Sequence, residues 1–306
     1  YNGNLNVSMP DLTSYNLMNA AEKLQFEKLA GRYDRPGSGN LIDEINLNKL
    51  YNEKLAAVES GVDTYWLAEP VREGANQKHS IYVRGGEGNF LFGLGAGYNG
   101  VSGVVKNSSR EVANGNIDLI YRVSKFQFTN KFSLNSTNLE NPVVAFNEYA
   151  ATNPYYKKYN DEGGLEKWLE NNDHAKASNP LWNDKQNSRN IGKNLSLSNY
   201  FIAEYFPTQE WKVRARVCLT YENDETERFQ SPNDTRFDDV EIIKKGLYNN
   251  VLGKSTQFEG ELSATYAKVF AEKHQINAVA GGNIYGNERL TQGYAAQGFP
   301  EGDFTY

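Results

Sequence analysis

The residues with the most chemical potential in this sequence are aromatic. Trp66, Tyr155, Tyr156, Trp168 and Trp182 lie in two long stretches between patterned segments. Flat rings in polar loops can stack on sugar rings or on peptide side chains, and aromatics dominate interface energetics. These five are the ligand-contact candidates; the plainer alternative is that they pack the loops into a cap or form an interface with a partner. No catalytic constellation accompanies them. His79, His174 and His274 are far apart and lack the H-E-x-x-H spacing, and neither a G-x-S-x-G elbow nor a P-loop is present. No carboxylate pair is placed for glycoside chemistry. Asp224, Glu225 and Glu227 beside Arg228, then Asp234, Asp238, Asp239 and Glu241, form an acidic run without EF-hand spacing. Together with NDEGG at 160–164 it reads as solvated loop, a divalent-cation site being the alternative. No catalytic residue, metal ligand, cofactor or cofactor-binding residue is therefore assigned.

The elements that must position those rings are strands. WKVRARVCLTYE, 211–222, places Trp211, Val213, Ala215, Val217, Leu219 and Tyr221 on one parity, and Lys212, Arg214, Arg216, Thr220 and Glu222 on the other. A strand puts the two sets on opposite faces, whereas a helix would mix them. The run fits the roughly 9–11 tilted residues that cross a bilayer, with aromatics at both ends of its apolar face. Cys218 falls on the polar parity and reads as a buried cysteine facing a lumen. Trp211, Tyr205, Tyr221 and Tyr266 are assigned to the lipid interface.

Composition agrees. A net charge of -6 among 306 residues excludes the concentrated basic face of a nucleic-acid binder. The mean hydropathy of -0.68 is too polar for a helical membrane protein but suits a barrel, in which every second residue faces lumen or water. No run of about 18 apolar residues exists. The 20 Tyr and 15 Phe against two Met favour strands with aromatic ends.

In order, a strand is expected over 1–9, stopped by Pro10. A helical insert over 11–77 follows: one helix within SYNLMNAAEKLQFEKLAG, closed by Gly31, and a second from Leu41 to about Glu59, capped by Asn40 and stopped by Gly61. Its charges are mixed and acidic rather than basic, which argues against a membrane-surface helix. Strands then return around 78–84, 90–98, 117–123, 126–134, 195–205, 211–222, 258–266 and 275–280. Gly93, Gly95 and Gly97 bare one face of the third, which predicts curvature or something packed against it, such as a plug. A short helix is expected at LEKWLEN, 165–171, and the tail from Asn287 reads as Gly-rich loop.

Short turns near 85–88, 124–125, 207–210 and 271–274 alternate with long connections at 10–77, 99–112, 141–193 and 226–254. In an up-and-down meander this places all the long loops at one end, as in an outer-membrane barrel. The expected fold is all-β: about nine strands of a larger antiparallel transmembrane barrel, with long extracellular loops (11–77 and 141–193 chief among them) containing short helices. An open sheet cannot stand alone in lipid, because its edges would be unpaired.

Several segments resemble the SusC/RagA family of TonB-linked outer-membrane importers of Bacteroidetes: YNGNLNVSMPDL, YNLMNAAEKLQFE, DTYWLAEPVREGANQKHSIYVRGG, YRVSKFQFTNKFSL and FNEYAATNPYY, in the family's order from Tyr1 to about Tyr156. Where the family usually has an acidic-Trp pair, this sequence has Tyr65-Trp66. The resemblance implies that residues 1–306 form part of one barrel of about 22 strands, in a Gram-negative outer membrane and in contact with its lipid. Tyr1 would open the first strand, after a plug and TonB box lying outside this sequence. It further implies import of oligosaccharides or peptides, a SusD-like surface lipoprotein as lid, and coupling to TonB through the plug. The competing expectation is a secreted or surface all-β glycan- or protein-binding module, whose apolar face would pack against a second sheet.

Overall fold

The computed structural model describes residues 1–34 and 41–299. Its elements in chain order are β1 (Asn2–Ser8), α1 (Ala20–Leu29), α2 (Leu41–Glu59), β2 (Gly74–Glu87), β3 (Phe90–Ser102), β4 (Ser109–Val123), β5 (Phe126–Glu140), α3 (Phe146–Ala151), β6 (Trp168–Asn171), β7 (Lys176–Ser178), α4 (Pro180–Asp184), β8 (Arg189–Tyr205), β9 (Trp211–Gln230), β10 (Leu247–Phe270) and β11 (His274–Gln297). Nine strands form one antiparallel sheet in the order β1-β2-β3-β4-β5-β8-β9-β10-β11, and β6 pairs with β7 in a separate hairpin. The sheet is an up-and-down meander in which each strand pairs with its neighbour in sequence order, so every interior strand has its backbone groups bonded on both sides.

The ladder register carries the parity of β9 across the sheet. Val217 lies opposite Phe201 of β8 and Gly260 of β10, and Leu219 opposite Asn199 and Phe258. Ile117, Phe132 and Leu94 continue the same face through β3–β5. This apolar face is uncovered: Trp211, Val217, Leu219, Phe201 and Leu262 all keep more than a third of their surface exposed. Among the described residues no second sheet packs on it, which argues against the sandwich arrangement. Trp211 meets Tyr266 at 4.9 Å, and Phe126 stacks on Tyr205 at 4.6 Å and on Phe128 at 6.1 Å, forming an aromatic belt beside the short turns.

The apolar run ends above Tyr221, where the same parity continues as Asn223, Glu225 and Glu227. At about 3.3 Å per residue and ~40° tilt, Trp211 to Tyr221 spans ~25 Å, the height of a barrel's apolar band. The sheet is therefore transmembrane barrel wall, and its strands run on beyond the membrane.

That overrun corrects several sequence boundaries. The expected loop at 226–254 shrinks to 231–246, because β9 reaches Gln230 and β10 starts at Leu247; the loop at 99–112 shrinks to 103–108. The tail from Asn287 is not loop but the upper half of β11, paired with β10 as far as Gln297. Residues 165–171 do not form a helix. Trp168–Asn171 is extended, and Asn172 Oδ1 accepts from the backbone N–H of His174 and of Ala175 (both 2.9 Å), turning the chain into a hairpin instead of letting it propagate as a helix.

The helices match their signals. Asn19 and Glu22 form a capping box at the start of α1. After α1 and after α2, Gly31 and Gly61 take positive φ (75° and 94°), and the next N–H reaches back five residues, Arg32 to Glu27 O and Val62 to Ala57 O. Asn40, the expected cap of α2, lies outside the described residues.

The glycine row of β3 is filled from within the sheet. A Cβ on Gly93 would lie 2.2 Å from the Tyr82 hydroxyl, and one on Gly95 2.1 Å from Asn116 Oδ1, so neighbouring strands lay their side chains across the bare strand.

One polar contact interrupts the apolar face. Asn130 and Asn199 exchange two hydrogen bonds of 3.1 Å, at the level of Val217 and Leu219. In hydrocarbon each amide depends on the other. Asn199→Leu, which strands Asn130, is expected to destabilise the membrane-inserted complete barrel by ~1 kcal/mol. The Asn130→Leu, Asn199→Leu pair should recover it, and urea titration in lipid vesicles reads the difference.

Candidate functional site

All long connections emerge at one end of the sheet, and the described parts of them fuse into a single cap. The 9–73 and 141–188 connections share a core of Ala20, Leu24, Tyr33, Trp66, Val144, Tyr149, Tyr155 and Tyr156. Along α1 the buried positions are Ala20, Leu24 and Glu27, a helical stripe whose third member is a carboxylate. Glu27 is met by Tyr33 OH (2.8 Å), Tyr155 OH (3.0 Å) and Arg32 Nη1 (3.2 Å). On α2 the buried positions are Leu47 and Lys54. Lys54 pairs with Glu170 of β6 at 2.9 Å and lies 4.9 Å from the Tyr155 ring centroid and 5.4 Å from that of Tyr33. Burial pushes the Lys54 ammonium below its ordinary pKa against the pull of Glu170. Burial also opposes ionisation of Glu170, but hydrogen bonds from Lys54 and Tyr156 outweigh it and hold that carboxyl below its ordinary range.

The third connection, 231–246, is tied in by side chains of the second. Asp238 accepts from Lys167 Nζ and from Trp168 Nε1 (2.6 Å), and Asn183 and Thr235 bond reciprocally at 2.9 and 3.1 Å. The 103–108 turn joins through Lys106 N–H to Pro70 O (2.7 Å) and Asn107 to Asp184 (3.2 Å).

Among the five aromatic candidates, Trp66, Tyr155 and Tyr156 are core, each at most 8% exposed, so in this arrangement their rings meet other cap residues rather than solvent. Trp66 Nε1 donates to Asn153 O at 3.0 Å, and the Tyr156 hydroxyl to Glu170. Trp168 and Trp182 are half-buried, and Trp182 Nε1 donates to Asn233 O at 3.2 Å. The structure thus brings the first three into one core, with Tyr155 and Tyr156 against Lys54 and Tyr155 on Glu27, and sets the two tryptophans where the second connection meets the third. Sequence reasoning missed Glu27, Lys54 and Glu170. The available signal was a charge on an otherwise apolar helical stripe, at Glu27 and Lys54; Glu170 gave none, being read as helix.

Several clefts open on the described part of this cap. One of about 450 Å³ lies between 16–19, 63–66 and 150–154, lined by Leu17, Met18, Lys23, Asp63 and Tyr65. Another, about 580 Å³, lies at the cap's base and is rich in amides, with Asn107, Asn141, Asp184, Gln186 and Asn190. The acidic run divides between wall and cap: Asp224, Glu225 and Glu227 belong to β9, Asp234 is buried against Arg236, and Asp239 pairs with Lys176. Among the described residues, no three His, Cys, Asp or Glu side chains gather as metal ligands.

No protein-family model matches the sequence, and no curated protein matches it. Solved structures do match. The chain is similar to one in the structure of the RagAB peptide transporter, with a TM-score of 0.76 at 14% identity over 98% of this chain. It is also similar to chains of the RagAB peptide importer in its "closed-closed" and "open-open" states, with TM-scores of 0.77 at 15% and 14% identity. The chain spans about 36% of the length of those chains. At such identity the likeness is one of fold.

Two outcomes follow from the cap's electrostatics. Lys54→Met leaves a buried carboxylate without its ion pair, which typically costs ~3–5 kcal/mol. The cap of the complete protein should become protease-sensitive, and Lys54→Met with Glu170→Leu should restore much of its resistance. Burial raises the Asp184 carboxyl above its ordinary range, against the Asn107 hydrogen bond. Its contribution to stability is then full below the ordinary carboxylate pKa and is lost as pH rises through the raised value. Asp184→Asn should remove that loss, so that amide-exchange protection around 180–188 no longer falls over this pH interval.

Proposed function

We propose that this chain is part of the wall and extracellular cap of an outer-membrane importer of peptides or oligosaccharides. In this reading residues 1–306 belong to one barrel domain, a SusD-like surface lipoprotein closes over the cap, and a TonB-coupled plug outside this sequence gates the lumen. The observation that carries the reading is the segregation of every long connection to one end of an apolar-faced meander, in a fold shared with the RagAB chains over nearly its whole length. A wall of that kind places ligand capture in the cap, above the membrane. Trp168 and Trp182 are the candidate contacts with most ring surface near solvent; Trp66, Tyr155 and Tyr156 would serve by holding the cap in shape. The uncovered apolar face disfavours a secreted binding module, which would leave it in water.

The test is uptake by cells that carry the complete gene or lack it, with labelled peptides and labelled oligosaccharides given separately. The protein should fractionate with the outer membrane, and its loss should abolish uptake of one of the two classes. A protein found in the soluble fraction, or uptake of both classes unchanged by its loss, would sink the importer reading. Trp168→Ala and Trp182→Ala should each weaken ligand affinity about tenfold if the rings stack on ligand. Unchanged affinity retires that residue.

A further inference from the structure

The cleft of about 580 Å³ at the cap's base holds polar groups that the fold leaves unused. Its walls come from the middle of the sheet, with Glu140 of β5, Arg189 and Asn190 of β8 and Phe229 of β9, and from the 103–108 and 141–188 connections. Its volume is that of a small-molecule site. The backbone N–H of Asn141 donates to Asn190 O (2.9 Å) and closes the ladder there, yet neither side-chain amide meets a partner among the described residues. The carboxylates have capacity to spare as well. Among the described residues Asp184 receives only the Asn107 amide (3.2 Å) and Glu140 only the Ser109 hydroxyl (3.4 Å), and no Lys or Arg comes within ion-pair distance of either. Arg189, the cation in the lining, is held by Glu227.

Two carboxylates without counter-charge repel an anion, and amides that both donate and accept suit a group that does the same. A hydroxyl does so, and a sugar presents several in a row. An ammonium would satisfy the carboxylates but leave the amide N–H groups of Asn141 and Asn190 without acceptors. The ladder register sets the place. Arg189 lies opposite Phe229, and Glu140 opposite Ile191, on the parity of Trp211, Val217 and Phe201. These side chains therefore stand on the side of the wall that meets lipid further down. From Tyr221 to Phe229 the wall rises about 20 Å above the apolar band. We propose that this cleft is a site for an uncharged saccharide on the outer side of the wall. The sugar chain of a glycolipid in the surrounding leaflet and a soluble oligosaccharide offer the same hydroxyls to it. The outward placement rests on the importer reading, whereas the sugar chemistry does not.

The test titrates the complete protein in detergent micelles with four probes. These are lipopolysaccharide with a neutral sugar chain, that chain released by mild acid, maltoheptaose and oligolysine. Wild type should bind at least one of the three sugar probes. Asn141→Ala with Asn190→Ala should weaken that binding about tenfold, the weight of two lost amide contacts. Asn52→Ala, on the exposed side of α2, should leave it unchanged. Heat-modifiable migration in gels shows that each variant has folded. Binding of the lipopolysaccharide and its released chain, without maltoheptaose, assigns the cleft to a glycan of the leaflet; binding of maltoheptaose assigns it to a soluble saccharide. No binding of any sugar probe, or binding that the folded double variant keeps in full, would overturn the site. So would binding of oligolysine alone that the double variant weakens, since that result gives the carboxylates to a cationic partner. Uptake of the class that wild type imports should survive in the double variant, and its loss would overturn the outward placement. A wild type that imports neither class would instead remove the importer reading and leave the sugar titration standing.

Discussion

A strand inside hydrocarbon can send its N–H and C=O groups nowhere but to the next strand. That one constraint accounts for most of this chain. It requires a sheet in which sequence neighbours pair without crossovers, an apolar parity held in register from β3 through β10, and very short turns wherever nothing else is required of the connection. It also explains the Asn130–Asn199 exchange: a polar side chain on the lipid side is tolerable there only with a partner at fixed register. Freedom begins where lipid ends. Above the level of Tyr221 the outward parity turns to Asn223, Glu225 and Glu227, and the connections lengthen into the cap.

The cap solves a different problem. Its connections have modest apolar content, so burial alone secures them weakly, and the structure adds buried polar linkages. Glu27 and Lys54 each stand on a helical stripe that would otherwise be apolar, and each is met from the 141–188 connection, Glu27 by Tyr155 and Lys54 by Glu170, with Tyr33 adding a local bond to Glu27. Such pairs specify which loop meets which, even where an apolar pair would bind as strongly. The aromatic rings around them supply bulk and hydroxyl donors together.

How much of this was readable depended on where lipid imposes its alternation. Trp211 to Tyr221 declares its two faces in sequence because one meets hydrocarbon and the other does not. Residues 247–254 and 287–297 read as loop in sequence although they are strand, because both of their faces are wet and nothing forces a period of two on them. Helix ends were legible for a similar reason: Gly31 and Gly61 occupy a backbone conformation that other residues resist. The core roles of Tyr155, Tyr156 and Trp66 were not legible, since a ring that stacks on ligand and a ring that packs a cap look alike in sequence. Their partners are set by tertiary contacts as distant as Glu27 with Tyr155.

The overrun of the strands has a mechanical side. From Tyr221 to Gln230, β9 rises a further ~23 Å above the apolar band at the same pitch and tilt. It is stiffened on both sides by ladders to β8 and β10. The cap is therefore carried on a rigid collar rather than on hinged stalks, and its connections are bonded to one another. Motion of the described cap would have to tilt it as one body. The collar's height sets the cap, and any surface it offers, well clear of the lipid headgroups.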